Sequence, residues 1–127
     1  MESNNTKAEP IKAKAQFYAV CFAGLQEIAK ESGYNLIMHG SMHRDMDLVA
    51  VPWINEPCTH IQLLHRFCKH LGVFVYDDVS HYMPAMLPGG RQTYVINLNR
   101  GGKFNGYSDE QWYLDISITP LLINKTE

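Results

Sequence analysis

Three aspartates offer the clearest chemistry in this sequence. Asp45 and Asp47 stand two residues apart in Arg44-Asp45-Met46-Asp47-Leu48. Side chains on a β-strand alternate with period two, so both carboxylates point to one face, about 6–7 Å apart. Two carboxylates so close repel each other unless a cation lies between them. Their oxygen-only donor set suits Mg²⁺ or Mn²⁺. Asp115 sits in Tyr113-Leu114-Asp115-Ile116-Ser117, a second stretch where polar and apolar residues alternate. If the two strands are neighbours, three carboxylates converge, as a site for two metal ions requires. Gly40-Ser41 stands just before the acidic pair. Glycine lets a backbone approach an anion closely, and the serine hydroxyl and the amides can donate to it.

The rest of the chain must supply elements that hold these residues. Phe17, Cys21, Leu25 and Ile28 recur at helical spacing, and Gly33 follows as a stop, which predicts a helix over 12–32. Residues 34–39 and 45–53 read as two short strands joined by a tight turn, with Pro52 near the end of the second. Thr59 and Gln62 are spaced as a capping box. Ile61, Leu64, Cys68 and Leu71 then form an apolar stripe closed by Gly72, predicting a helix over 59–71. Val73-Phe74-Val75-Tyr76 reads as a third strand, 79–90 as an irregular loop, 93–98 as a fourth strand and 112–119 as a fifth. Between the last two, 99–111 reads as a long connection. In the fifth strand Trp112, Leu114, Ile116 and Ile118 share one face, and Tyr113, Asp115, Ser117 and Thr119 the other. The expected fold class is α/β (α+β): a small mixed five-stranded sheet with both helices on one face. Residues 1–10 read as a flexible tail before a single domain over 11–127.

An apolar strand ending in Gly40-Ser41, an Asp45-x-Asp47 strand, a helix and a later strand with apolar-Asp115-apolar together resemble the polymerase-β-type nucleotidyltransferase superfamily, and most of all its minimal single-domain members. The likeness in element order runs from residue 12 to 119. It implies a nucleotidyltransferase-like fold and Mg²⁺ (or Mn²⁺)-dependent binding of a nucleoside triphosphate. It also implies nucleotidyl transfer to a hydroxyl, with a protein or RNA as acceptor. Carried over residue by residue, Gly40 and Ser41, with Arg44, would hold the triphosphate. Asp45 and Asp47 would bind the metals, and Asp115 would be the third ligand and the catalytic carboxylate that activates the incoming hydroxyl. Only Met42, His43 and Arg44 separate Gly-Ser from Asp-x-Asp here, where the superfamily carries a longer, usually helical connection. Residues 44–53 also resemble a segment of small bacteriophage and prophage proteins. That likeness implies a viral source, and with it an alternative: a non-catalytic phage protein of the same fold that binds a nucleotide or a host protein.

Composition narrows the field without choosing a chemistry. Eleven Lys+Arg against thirteen Asp+Glu give a net charge of −2, which excludes a general polyanion binder. With 46% hydrophobic and 19% charged residues among 127, the chain is suited to one globular domain. No apolar run is long enough to span a bilayer, so no membrane partner is expected. The three cysteines form no C-x-x-C, and a reducing cytoplasm, the host's if the source is viral, fits them best. Cys21 and Cys68 lie on the helical apolar stripes and read as core thiols. His60, His65 and His70 are five apart and share no helical face, so they form no ligand set. His39 and His43 flank the Gly-Ser turn as local turn or surface residues. Arg91 and, beyond the fourth strand, the cations, glycines and aromatics of Arg100 to Tyr107 read as a solubilising hairpin loop in preference to a wrap for a phosphate or a single strand.

Overall fold

The computed structural model describes residues 10–40, 45–98 and 113–121. In chain order the elements are α1 (Pro10–Glu31), β1 (Tyr34–His39), β2 (Asp45–Pro52), α2 (His60–Leu71), a 3-10 turn (Val79–Tyr82), β3 (Ala85–Leu87), β4 (Arg91–Asn97) and β5 (Tyr113–Ile118). The strands form one sheet in the order β1-β2-β5-β4-β3. β2 and β5 run parallel at its centre, and every other pair is antiparallel. The expected mixed sheet of five strands with two helices is present. Of the expected tail over 1–10, Pro10 begins α1 and the rest lies outside the described residues, as do Ser41 to Arg44, the expected connection over 99–111, Trp112 of the expected fifth strand and the chain after 121.

Alternation decides which face is the core. Met46, Leu48 and Ala50 of β2 are buried together with Leu114, Ile116 and Ile118 of β5, and Tyr94 and Ile96 of β4. Against this face α1 lays Tyr18, Cys21, Leu25 and Ala29, and α2 lays Leu63, Leu64, Phe67, Cys68 and Leu71. Beside the expected positions α1 buries Tyr18 and Ala29 and α2 buries Leu63 and Phe67, while Ile28 and Ile61 are only partly buried, as expected where a helix packs on a sheet and on a second helix together. α2 begins at the capping box: Gln62 N–H donates to Thr59 Oγ1 at 3.3 Å, and Thr59 N–H donates to Gln62 Oε1 at 3.0 Å. It ends at Gly72, in the left-handed conformation (φ 72°). Side-chain hydrogen bonds tie α1 and the residue after it to the sheet and to α2, Gln26 Nε2 donating to the Leu36 carbonyl of β1 at 3.4 Å. Tyr113 N–H donates to the Tyr18 hydroxyl at 3.2 Å, and Arg66 donates to Ser32 Oγ at 2.7 Å.

One element differs from expectation. Val73–Tyr76 is not a strand; the third strand is Ala85–Leu87, inside the stretch read as an irregular loop. The backbone of Tyr76 is satisfied by side chains in place of a neighbouring strand. Its N–H donates to the Tyr82 hydroxyl at 2.8 Å, and its carbonyl accepts from His65 Nε2 at 2.6 Å. The Tyr76 ring stacks on His81 of the 3-10 turn, and the bond from His65 ties the segment to α2. Pro88-Gly89-Gly90 forms the hairpin loop that returns β3 onto β4, with both glycines at positive φ. Among the described residues no helix is long and apolar enough to cross a membrane.

Candidate metal centre on the open face of the sheet

The face of the sheet away from the helices carries the residues of opposite parity. From β2 these include Asp45 and Asp47; from β5, Tyr113, Asp115 and Ser117; from β4, Arg91 and Thr93; and from the end of β1, His39. β2 and β5 pair in parallel with Asp47 opposite Asp115, and β1 brings His39 opposite Asp47. Because adjacent strands lie about 4.8 Å apart, this register converts sequence distance into contact. Asp45, Asp47 and Asp115 each present a carboxylate oxygen within 4.8 Å of the others. The structure thus brings together the three acidic residues singled out in the sequence, on the two adjacent strands anticipated for them.

The electrostatics follow from this crowding. Burial pushes the Asp115 carboxyl above its ordinary value; the charges of Asp47 and then Asp45 push further, and His39 opposes them. Asp47 is raised by burial as well, with His39 lowering it and Asp45 raising it. Three half-buried anions with one imidazole beside them form a site that gains from a divalent cation. The donor set fits Mg²⁺ or Mn²⁺, since all three donors are carboxylate oxygens. Mg²⁺ bound by one or two carboxylates keeps further positions for water or a phosphate oxygen.

Gly40 stands at the end of β1 with φ 88°, a conformation that side chains seldom adopt. A Cβ there would lie 2.7 Å from Asp47 Oδ2. The glycine therefore makes room for an acid as well as opening the backbone beside it. Ser41 and Arg44, the other two residues expected to meet a triphosphate, lie outside the described residues. His39, Asp47, Asp115, Ser117, Thr93 and Arg91 line a shallow concavity of about 320 Å³ over this face. Arg91, Thr93 and Ser117 were not singled out as site residues by the sequence. Their alternating pattern was visible, but their place beside Asp115 depends on the β4–β5 register, with Thr93 opposite Ser117. No family model, curated protein or solved structure matches this chain.

Proposed function

We propose that this protein is a nucleotidyltransferase-like domain that binds a nucleoside triphosphate in a Mg²⁺-dependent manner and transfers its nucleotidyl group to a hydroxyl of a protein or an RNA. The observation that carries this reading is the convergence of Asp45, Asp47 and Asp115 from two adjacent parallel strands. Gly40, packed against Asp47 at the end of the neighbouring strand, supports it. In the reaction the acceptor oxygen attacks the α-phosphorus, the bond to pyrophosphate breaks, and the hydroxyl proton passes to the Asp115 carboxylate. Burial, the largest cause, raises the proton affinity of that carboxylate above that of an ordinary aspartate. Asp45 and Asp47 hold the cation and fix its place beside the Gly40 turn. When bound, Mg²⁺ supplies neutralisation of the phosphate charge and a lower pKa for the attacking hydroxyl. The same reading puts the protein in the cytoplasm, the host's if the chain is viral, where nucleoside triphosphates and Mg²⁺ are supplied.

One observation favours a second reading. Only Ser41 to Arg44 join the described ends of β1 and β2, and His39 already pairs with Asp47. So short a connection suits a non-catalytic phage protein of this fold, which binds a nucleotide or a host protein without turning it over. Calorimetric titration with a non-hydrolysable triphosphate, with and without Mg²⁺, separates the two when paired with an assay for pyrophosphate release. Mg²⁺-dependent binding lost in Asp47→Asn, together with transfer, supports the enzyme. Binding that needs no metal and survives the substitution supports the capture protein, and no binding under either condition ends the nucleotide reading.

A further inference from the structure

The open face does not end at the acidic triad. Past Ser117, at the far end of β2 and β5, lies a second and larger cleft of about 540 Å³. Its walls are Val51, Trp53, Ile54, Pro88, Pro120 and Arg91. A volume of this size, mostly apolar with a single cation, is typical of a small-ligand site. Trp53 is 54% exposed, so a large aromatic surface is left in water at its rim. Arg91 lines this cleft and also the concavity that contains Asp47 and Asp115. Among the described residues Arg91 has no ion-pair or side-chain hydrogen-bond partner. A guanidinium thus links an aromatic-walled cleft to a concavity lined by Asp47 and Asp115. The two are spaced along the same strand: Asp47 to Val51 is four residues, or about 13 Å, comparable to an extended nucleoside triphosphate.

We infer that the Trp53 cleft receives the base of the nucleotide and that Arg91 holds the phosphate nearest the ribose beside Asp115, in the concavity they both line, leaving the rest of the polyphosphate to extend over Asp47. The inference rests on the proposed triphosphate site and adds where the rest of the ligand lies. An indole face accepts any base by stacking, so recognition in the cleft is tolerant of base identity. Arg91 supplies the charge that turns an apolar cleft into one for a nucleotide, and its planar fork suits a phosphate oxygen pair.

The test uses the full chain and two probes in Mg²⁺: the α,β-methylene ribonucleoside triphosphates, and inorganic tripolyphosphate, which has no base. Wild type should bind the nucleotides at least about fivefold more tightly than tripolyphosphate, the lower end of what one base stacked on an aromatic ring contributes. Trp53→Ala should abolish this preference and leave tripolyphosphate binding unchanged, while Arg91→Gln should weaken the nucleotides with an unaltered unfolding midpoint. Equal binding of both probes by wild type, with Trp53→Ala silent, overturns the inference and leaves the triphosphate site standing. Metal-independent binding of a nucleoside monophosphate that both substitutions remove supports the cleft, and triphosphate binding that Mg²⁺ does not strengthen ends the metal-dependent reading. Absence of binding by either probe, or by the monophosphate, overturns both.

Discussion

The Asp115 carboxylate is half-buried beside two other acids, and its proton affinity is raised by burial, then by Asp47 and Asp45, against the opposing His39. Asp115 is therefore protonated more readily in the folded protein than in the unfolded chain. Between the ordinary value of 3.8 and the raised one, the folded state binds more protons, so stability falls as pH rises through that window. Above the window the deficit is complete. His39 is the group that opposes the shift, and it does not remove it. Without metal, Asp115→Asn should thus be more stable than wild type at neutral pH by about 0.5–1 kcal/mol, a modest figure because water screens half-exposed charges. The two proteins should converge below pH 3.8. Urea unfolding across pH checks this, and a variant less stable than wild type at pH 7 would show that Asp115 is held by a structural partner instead. Gly40 gives the converse prediction. Gly40→Ala forces a side chain into a positive-φ position and sets its Cβ 2.7 Å from Asp47 Oδ2. Fold stability should drop by about 1–2 kcal/mol, and Mg²⁺ affinity should fall by at least about tenfold, because the ligand itself is displaced. Thermal unfolding over a Mg²⁺ series reads both effects.

Among the elements, those with a clear period were legible and the one without was not. α1, α2, β2 and β5 declare themselves by spacing, caps and alternation, and α2 opens on the capping box that Thr59 and Gln62 spell out. Val73–Tyr76 has strand composition but no strand partner, because Tyr82 and His65 take its backbone groups. That competition comes from side chains six and eleven residues away, which no local pattern reveals. β3 was hidden for a related reason: Pro88-Gly89-Gly90 reads as a break, although it also serves as a hairpin loop. Cys68 shows the limit of reading burial from a stripe. It is fully buried, as its position implied, and burial pushes its thiol up to about 11, which makes it unreactive near neutrality. Yet its sulfur lies 3.6 Å from the Tyr82 hydroxyl, a polar neighbour in an otherwise apolar layer. Cys68→Ser should therefore cost only about 1 kcal/mol, as the new hydroxyl keeps a partner. Tyr82→Phe should cost more, about 1–3 kcal/mol, since one change removes an acceptor from Tyr76 N–H and a partner from Cys68. Equilibrium unfolding of the two variants checks the order, and a reversal would mean that the Tyr82 hydroxyl does not organise the 73–82 segment.

The molecule as a whole divides its labour by the two faces of one sheet. The helices cover the inner face and supply the core, while the outer face gathers acids, hydroxyls and Arg91. The sequence showed both faces of β5 separately, with Leu114, Ile116 and Ile118 against Asp115 and Ser117. It could not show that β5 inserts between β2 and β4, because that order depends on a long connection and on core packing summed over the chain. The insertion places Asp115 opposite Asp47 and Val95 opposite Asp115. It also makes stability and binding separable on a single strand, since successive residues point to opposite faces. Ile116 is fully buried, so Ile116→Val removes one methylene from the core and should lower stability by about 0.5–1.5 kcal/mol. Its small volume change leaves the backbone of β5 in register, so Mg²⁺-dependent triphosphate affinity should remain within error of wild type. Asp47→Asn should do the opposite: stability is kept or slightly raised as a like charge leaves the cluster, while metal-dependent affinity is lost. Denaturant midpoints and calorimetric titrations on the same two preparations test this crossed pattern. If Ile116→Val weakened binding as much as it weakened the fold, the triad would depend on the finest packing of the core, and the two faces would act as one unit.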